Sequence, residues 1–266
     1  MTVLFDLSNQ LSEVLMKLKA ITHPVVGRLV PDEWEESLLC FREIPPLKQF
    51  VAGLSADALN HLDDNERKLV ESWKEVPGKL VKHCRENQIF DGLRALGVFE
   101  VAFEKIRNGT PSEEQIAAYQ NFQEHQVRIC GNVAEALLRY YRVARTSEEE
   151  WFDDNDCPEA ASVDELAALA ALDSVSFTKH HCEGLSILLL SWQVDWDVEH
   201  GLSMAVWKDQ VVGIGMEDIY DLSDLEQADF LVWNRSHMTE SEREHLARVS
   251  ESIGEPDDDD DEDDDW

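Results

Sequence analysis

Apolar residues recur at three- and four-residue steps through most of the first 110 positions, and the spacing predicts helices over 11–21, 32–42, 65–73, 80–86 and 92–107. Pro24, Pro31, the Pro45-Pro46 pair and Pro77-Gly78 punctuate this stretch. Within 92–107, Leu93, Leu96, Phe99, Phe103 and Ile106 fall on one helical face, which reads as core. Asn108-Gly109 then stops the pattern. Thr110 can cap a new helix, Pro111 suits its first position, and Glu113 stands where a capping box reaches back. Tyr119, Phe122, Gln126, Cys130, Val133, Leu137 and Tyr141 keep helical spacing from there to about Arg145, a helix of about eight turns.

Residues 146–161 hold seven acids without regular apolar spacing and read as a loop. Ser162 and Glu165 make a second capping-box pattern before a short helix over 163–172. The period then switches to alternation. Val175, Phe177 and Lys179 begin a strand, Cys182-Glu183-Gly184 turns it, and further strands follow over 185–196, 202–207 and 210–214. Two more capped helices are expected, from Ser223 with Glu226 and from Thr239 with Glu242, with Gly254 ending the second. The expected fold class is α+β: a mostly helical N-terminal half, then a long helix and a four-stranded antiparallel meander flanked by short helices. The expected organisation is a helical region over 1–110, an α+β domain over 111–254 and a disordered tail over 255–266.

Charge changes this picture more than composition does. The chain of 266 residues has 56 acidic and 23 basic side chains, a net charge of −33, yet 43 % of it is hydrophobic, enough to bury a core. Such a surface disfavours direct binding to nucleic acid or to anionic membranes, both of which need basic patches. The start of the chain has no uninterrupted apolar run after a basic segment, and no stretch reaches the ~18 apolar residues of a membrane span, so a cytoplasmic protein is expected. Cys40, Cys84, Cys130, Cys157 and Cys182 are an odd, scattered set without a C-x-x-C pair, which reads as reduced thiols. At the end, Asp257, Asp258, Asp259, Asp260, Asp261, Glu262, Asp263, Asp264 and Asp265 form an unbroken acidic run closed by Trp266. A run of like charge repels itself, so it is expected to be disordered, and it serves either as a solubilising end or as electrostatic bait with Trp266 as an anchor.

One motif stands apart. Along the long predicted strand, Leu188, Leu190, Trp192, Val194 and Trp196 share one face, and the strand runs into Trp196-Asp197-Val198-Glu199-His200-Gly201, where Gly201 can supply the positive φ of a tight turn. This W-D-x-E-H-G segment, followed by an alternating strand and Val-Val-Gly-Ile-Gly, resembles a bacterial domain family of unknown function that carries such a hairpin. The helix EHQVRICGNVAEALLRYYRVAR is similar to the one that family places before its meander. The resemblance spans about residues 112–220 and implies a fold region without an activity. It leaves residues 1–110 unassigned.

Asp195, Asp197, Glu199 and His200 place three carboxylates and an imidazole within six residues, the donor types of a hard or borderline metal. The same residues also make a polar turn in which Asp197 accepts backbone N–H bonds. His180-His181-Cys182 is a second potential ligand set, but it lies at the far end of the same strand, and neighbouring strand residues face opposite ways. Trp192, Trp196 and Trp207 lack interleaved Lys and Arg and read as a wall between sheet and helix rather than as a stacking platform for bases. There is no G-x-S-x-G, H-E-x-x-H, P-loop or G-x-G-x-x-G, and Met216, Glu217 and Asp218 after Gly213-Ile214-Gly215 would repel a phosphate. The leading expectation is therefore a non-enzymatic, immunity- or antidote-like protein that binds a basic protein partner and needs no cofactor. The alternative is a metal-binding or metal-assisted hydrolase module at 195–200.

Overall fold

A computed structural model describes residues 21–31, 37–51, 58–75, 89–104, 109–146, 157–215 and 236–253, with the side chains of 198–200 and 253 excepted. Its centre is an eight-stranded sheet in which the strands lie in chain order: β1 (Ile21–His23), β2 (Gly27–Pro31), β3 (Leu38–Glu43), β4 (Val98–Phe103), β5 (Ala170–Cys182), β6 (Leu185–Val194), β7 (Asp197–Trp207) and β8 (Gln210–Gly215). Neighbours are antiparallel except β4 and β5, which run parallel. A parallel pair needs a long crossover, and here it includes the 34-residue helix α3 (Glu113–Thr146). Strands from before and after residue 110 therefore belong to one sheet.

This corrects the expected fold class. The N-terminal half is not mostly helical, because it contributes four of the eight strands, and the sheet is mixed rather than a four-stranded meander. Two physical reasons account for the difference. In 92–107 the apolar residues satisfy both periods: Leu93, Leu96, Phe99 and Phe103 step as a helix, while Phe99, Val101 and Phe103 alternate as a strand. The chain resolves this at Gly97, whose φ of +75° ends the short helix α2 (Ile89–Ala95) and admits β4. In 32–42, β3 is buried at four successive residues, Leu38, Leu39, Cys40 and Phe41, so it shows no alternation to read. Helix α1 (Asp64–Glu71) does form where expected, held by a capping box between Asp63 and Glu66. The helices expected over 80–86 and from Ser223, most of the one over 11–21, and the acidic tail lie outside the described residues.

Helix α3 begins one cap later than its sequence suggests. Ser112 and Gln115, rather than Thr110 and Glu113, exchange the capping bonds, at 3.2 Å and 2.9 Å. The helix bends at His125 (φ −113°, ψ 17°), and its buried seam shifts there from Phe122 to Ile129, leaving Val127 exposed. Helix α4 spans only Val163–Leu166 before β5 takes over, and α5 (Glu240–Ile253) is capped by Thr239 and Glu242 as expected. Helix α3 covers one face of the sheet, against Leu188 and Val206, while α5 packs on Trp207, the next residue along β7, which points the other way; an Arg139–Glu242 ion pair links the two helices. The main core takes in residues from both faces, with Trp192 and Trp207 fully buried. A smaller core of Phe41, Leu62, Val70, Ile89, Leu93 and Val98 lies on the face away from α3, under α1 and α2.

Candidate functional site

The long strand β6 ends in two turns of different make. At one end Glu183 (φ 49°) and Gly184 (φ 76°) both take left-handed conformations, the signature of a type I′ hairpin turn, which suits the twist of the flanking strands. Cys182 is buried there, His181 is exposed and His180 half-buried, so the three do not converge. A local irregularity between Phe177 and His181 widens β5 just before this turn. Gln115 of α3 bridges the ends of β4 and β5 here: its Nε2 donates to Glu104 O (2.9 Å), Phe177 O (3.0 Å) and Thr178 O (3.3 Å), the last two of which also accept from Glu104 N and Ser186 Oγ. A buried glutamine with three carbonyl partners is a structural clamp, and its S-x-x-Q capping spacing was its one sequence signal.

At the other end lies the W-D-x-E-H-G segment. Val194 pairs with Asp197, so the tight turn is Asp195-Trp196 rather than a bend between 197 and 201. The next pair along is Trp192 with Leu202, two steps on β6 against five on β7, so the extra residues before Leu202 form a bulge. Gly201 sits in that bulge with φ +63°, which is the positive φ expected of it, used in a different feature. Trp196 is buried against Tyr141 of α3, ring centroids 4.7 Å apart, and Tyr141 Oη donates to Pro158 O at 2.5 Å. Burial pushes the Tyr141 phenol up to about 12, with the nearby Cys157 and Asp195 acting in the same direction and Arg145 opposing. Asp195 N donates to Leu169 O at 2.9 Å, which ties the turn to the start of β5.

Asp195 is exposed on the turn and Asp197 half-buried at the start of β7. The side chains of Glu199 and His200 lie outside the described residues, and so do Asp257 to Trp266. Among the described residues no group of three or more His, Cys, Asp or Glu side chains is arranged to hold a metal ion. Cys40, Cys130, Cys157 and Cys182 are in no disulfide and all buried. Desolvation pushes Cys40 up to about 11 and Cys130 to about 12, the state of packing residues rather than nucleophiles.

A second polar constellation was not anticipated. Asp173 sits at a register shift in β5, where its carboxylate receives Arg94 of α2 and Gln193 Nε2 of β6 (3.1 Å); Arg94 also reaches Asp91 at 3.2 Å. Arg94 is buried while both acids are about one-third exposed, so the guanidinium holds them in place from beneath. Next to this cluster, on the face away from α3, the register aligns Glu100, Ser174, Ser191, Ser203 and Gly215 in a row across five strands. The sequence signal was present in the hydroxyls at alternate strand positions opposite an apolar face.

Among the described residues no helix is long and apolar enough to cross a membrane. No curated protein and no solved structure matches the chain. One family model does, over residues 72–222, more than half of the chain's length, spanning α2 and β4 through β8 and hence both the W-D-x-E-H-G turn and the serine row. The chain belongs to the family defined by the domain of unknown function DUF6985.

Proposed function

We propose that the protein is a non-enzymatic, acidic interaction protein that binds and neutralises a basic protein partner in the cytoplasm, in the manner of an immunity or antidote protein. The observation that carries this reading is where the cations go. Arg42 donates to Phe41 O (2.7 Å), to Val26 O and to the Tyr119 hydroxyl (2.8 Å). Arg142 reaches Ala160 O and Ala161 O, Arg145 reaches Cys157 O at 2.8 Å, and Arg94 is buried between its two aspartates. These four guanidinium groups serve the fold, and although Arg28, Arg67, Arg128, Arg243 and Arg248 are exposed, Glu124, Glu135, Glu159, Asp164, Asp195, Glu244 and Glu251 also face water. With 56 acids against 23 bases, the field outside the molecule attracts cationic surfaces and repels phosphate backbones and anionic lipid.

Such a field speeds encounter and weakens once ionic strength rises past about 0.1 M, where the screening length is about 10 Å. The acidic run ending in Trp266 adds ten of the net charges when Glu255 is included, which suits a first, loose contact. The test is capture from native extract on the full chain at low and high salt, with partners identified by mass spectrometry. A protein of high isoelectric point released by salt is the expected result. Recovery of no protein, or of a complex indifferent to salt, overturns the reading.

A further inference from the structure

We propose that the acidic run over 257–265 docks on the chain's own cationic cluster, Lys208, His245 and Arg248, at the end of the sheet where α5 finishes. Two turns and a helix assemble this cluster around one carboxylate. Glu183 on the β5–β6 turn receives Lys208 Nζ of the β7–β8 turn at 2.6 Å, and the same ammonium lies 4.1 Å from the centre of the Trp207 ring. His245 of α5 meets that ring at 5.4 Å between centroids, with its Nδ1 donating to Ser241 O at 2.7 Å. Lys208 holds the exposed Glu183 carboxyl below the usual carboxylate range, and Arg248 and His245 act on it in the same direction.

Two observations make the run the occupant. The first is where α5 ends. Ser252 Oγ donates to His181 O at 3.1 Å and Cys182 Sγ to Arg248 O at 3.5 Å, so the helix finishes against the turn that carries Glu183. Gly254, Glu255 and Pro256 carry the chain at most about 10 Å before Asp257, no more than the screening length at 0.1 M salt. The second is charge. Glu183 offsets Lys208, and Asp209 is held by Arg128 at 3.0 Å. Arg248 is exposed and in no ion pair among the described residues, although Glu244 and Glu251 lie about one turn away on either side of it. A free anion meets the repulsion of 56 acids against 23 bases, whereas a tethered one is already present at an effective concentration on the order of millimolar. The basic partner proposed above would then take the run by exchange.

The test is zero-length carbodiimide coupling of the full chain at about 0.02 M and about 1 M salt, with the amides mapped by mass spectrometry. Isotope-labelled chains mixed with unlabelled ones tell links within a chain from links between chains, and the Lys208–Glu183 amide measures the reactivity of Lys208. At low salt a link within one chain between Lys208 and an acid of 257–265 is expected, falling several-fold at high salt. Arg248→Gln is expected to lower its yield about threefold, the scale of one exposed ion pair, and Arg248→Lys to keep it. Lys68→Gln, outside the cluster on α1, is expected to leave it unchanged. No link from Lys208 to the run at low salt, a yield indifferent to salt, links only between chains, or full yield in Arg248→Gln each overturns the docking. The acidic-interaction reading is judged separately, by capture from extract.

Discussion

The two faces of the central strands are built from different chemistry. Toward α3, Leu172, Val175, Phe177, Leu190, Trp192 and Met204 are almost wholly buried, and rings from the sheet and α3 meet edge to face. Away from it, the same strands carry Ser174, Ser176, Ser191 and Ser203, and β8 carries Gly213 and Gly215. Burial of apolar area contributes ~25 cal/mol per Å², and the second face adds its own share through Ile187, Ala205 and Trp207, which are fully buried. Under α1 and α2 the second face does carry a small apolar core, around Phe41 and Val98, and the change to serine occurs at β5. The difference teaches that β5 to β8 are held by large apolar side chains toward α3 and by a mixture of small residues and a few buried ones, Ile187 and Trp207 among them, on the other side, where α5 packs on Trp207.

The sharpest break of that comparison is Phe177→Ala. The Phe177 ring lies 5.2 Å from Phe103, 5.7 Å from Tyr119 and 6.4 Å from Phe122, joining β5, β4 and α3 at one point. Removing it should cost about 3–5 kcal/mol in urea unfolding through lost transfer energy and a residual cavity. A loss below ~1 kcal/mol would show that the α3 face is not the main support. Gln115→Leu comes next. It keeps the volume but removes the amide that bridges Glu104 O, Phe177 O and Thr178 O and accepts from Ser112 N, and the expected cost is about 2 kcal/mol in the same measurement. An unchanged midpoint would mean that water replaces the amide.

How much of this was legible in the sequence follows the same division. The α3 face was read residue by residue: Leu188, Leu190, Trp192 and Val194 are all buried, while the other side of β6 starts apolar at Ile187 and Leu189 and becomes polar at Ser191 and Gln193, and Tyr119, Phe122, Cys130, Val133, Leu137 and Tyr141 keep their helical step, all buried. The N-terminal strands were not legible. β1 has three residues and β2 five, too short for a period to show, and β4 pairs with β5 across some seventy residues of chain, which no local pattern encodes. In the candidate site Gly201 announced its positive φ, but a glycine does not say whether it closes a turn or a bulge. That choice was settled by Trp196, which turns inward onto Tyr141 and so places the two-residue turn one step earlier.

Alkaline pH probes the packed face in another way. Cys40 and Cys130 both belong to the main core, and burial raises their thiols from 9.0 to about 11 and about 12. The folded chain therefore holds these protons above the pH at which the unfolded chain releases them. Stability should be full below pH 9 and fall as pH climbs toward 11–12, by at most about 1.4 kcal/mol per pH unit for each thiol. Melting curves from pH 8 to 11 should show the decline, and Cys130→Ala should flatten it by up to one such slope. A slope unaffected by the substitution would mean that Cys130 ionises as easily in the folded chain as in the unfolded one.

The smallest expected effect tests the serine face itself. Ser191 lies between Ser174 and Ser203 in the row, opposite the side of β6 that faces α3, and is half-buried. If that side of the sheet contributed to folding as the α3 side does, a valine there should stabilise by a good part of the 1.5–3 kcal/mol that fully burying such a side chain brings. If it is a surface that folding does not use, Ser191→Val should move stability by less than about 0.5 kcal/mol, since strand propensity gains little where nothing packs on the new methyls. Urea midpoints resolve the two. A gain above ~1 kcal/mol would show that the packing over Ser203, Ile187 and Trp207 extends across Ser191 as well, and the contrast between the faces would then be one of residue size alone.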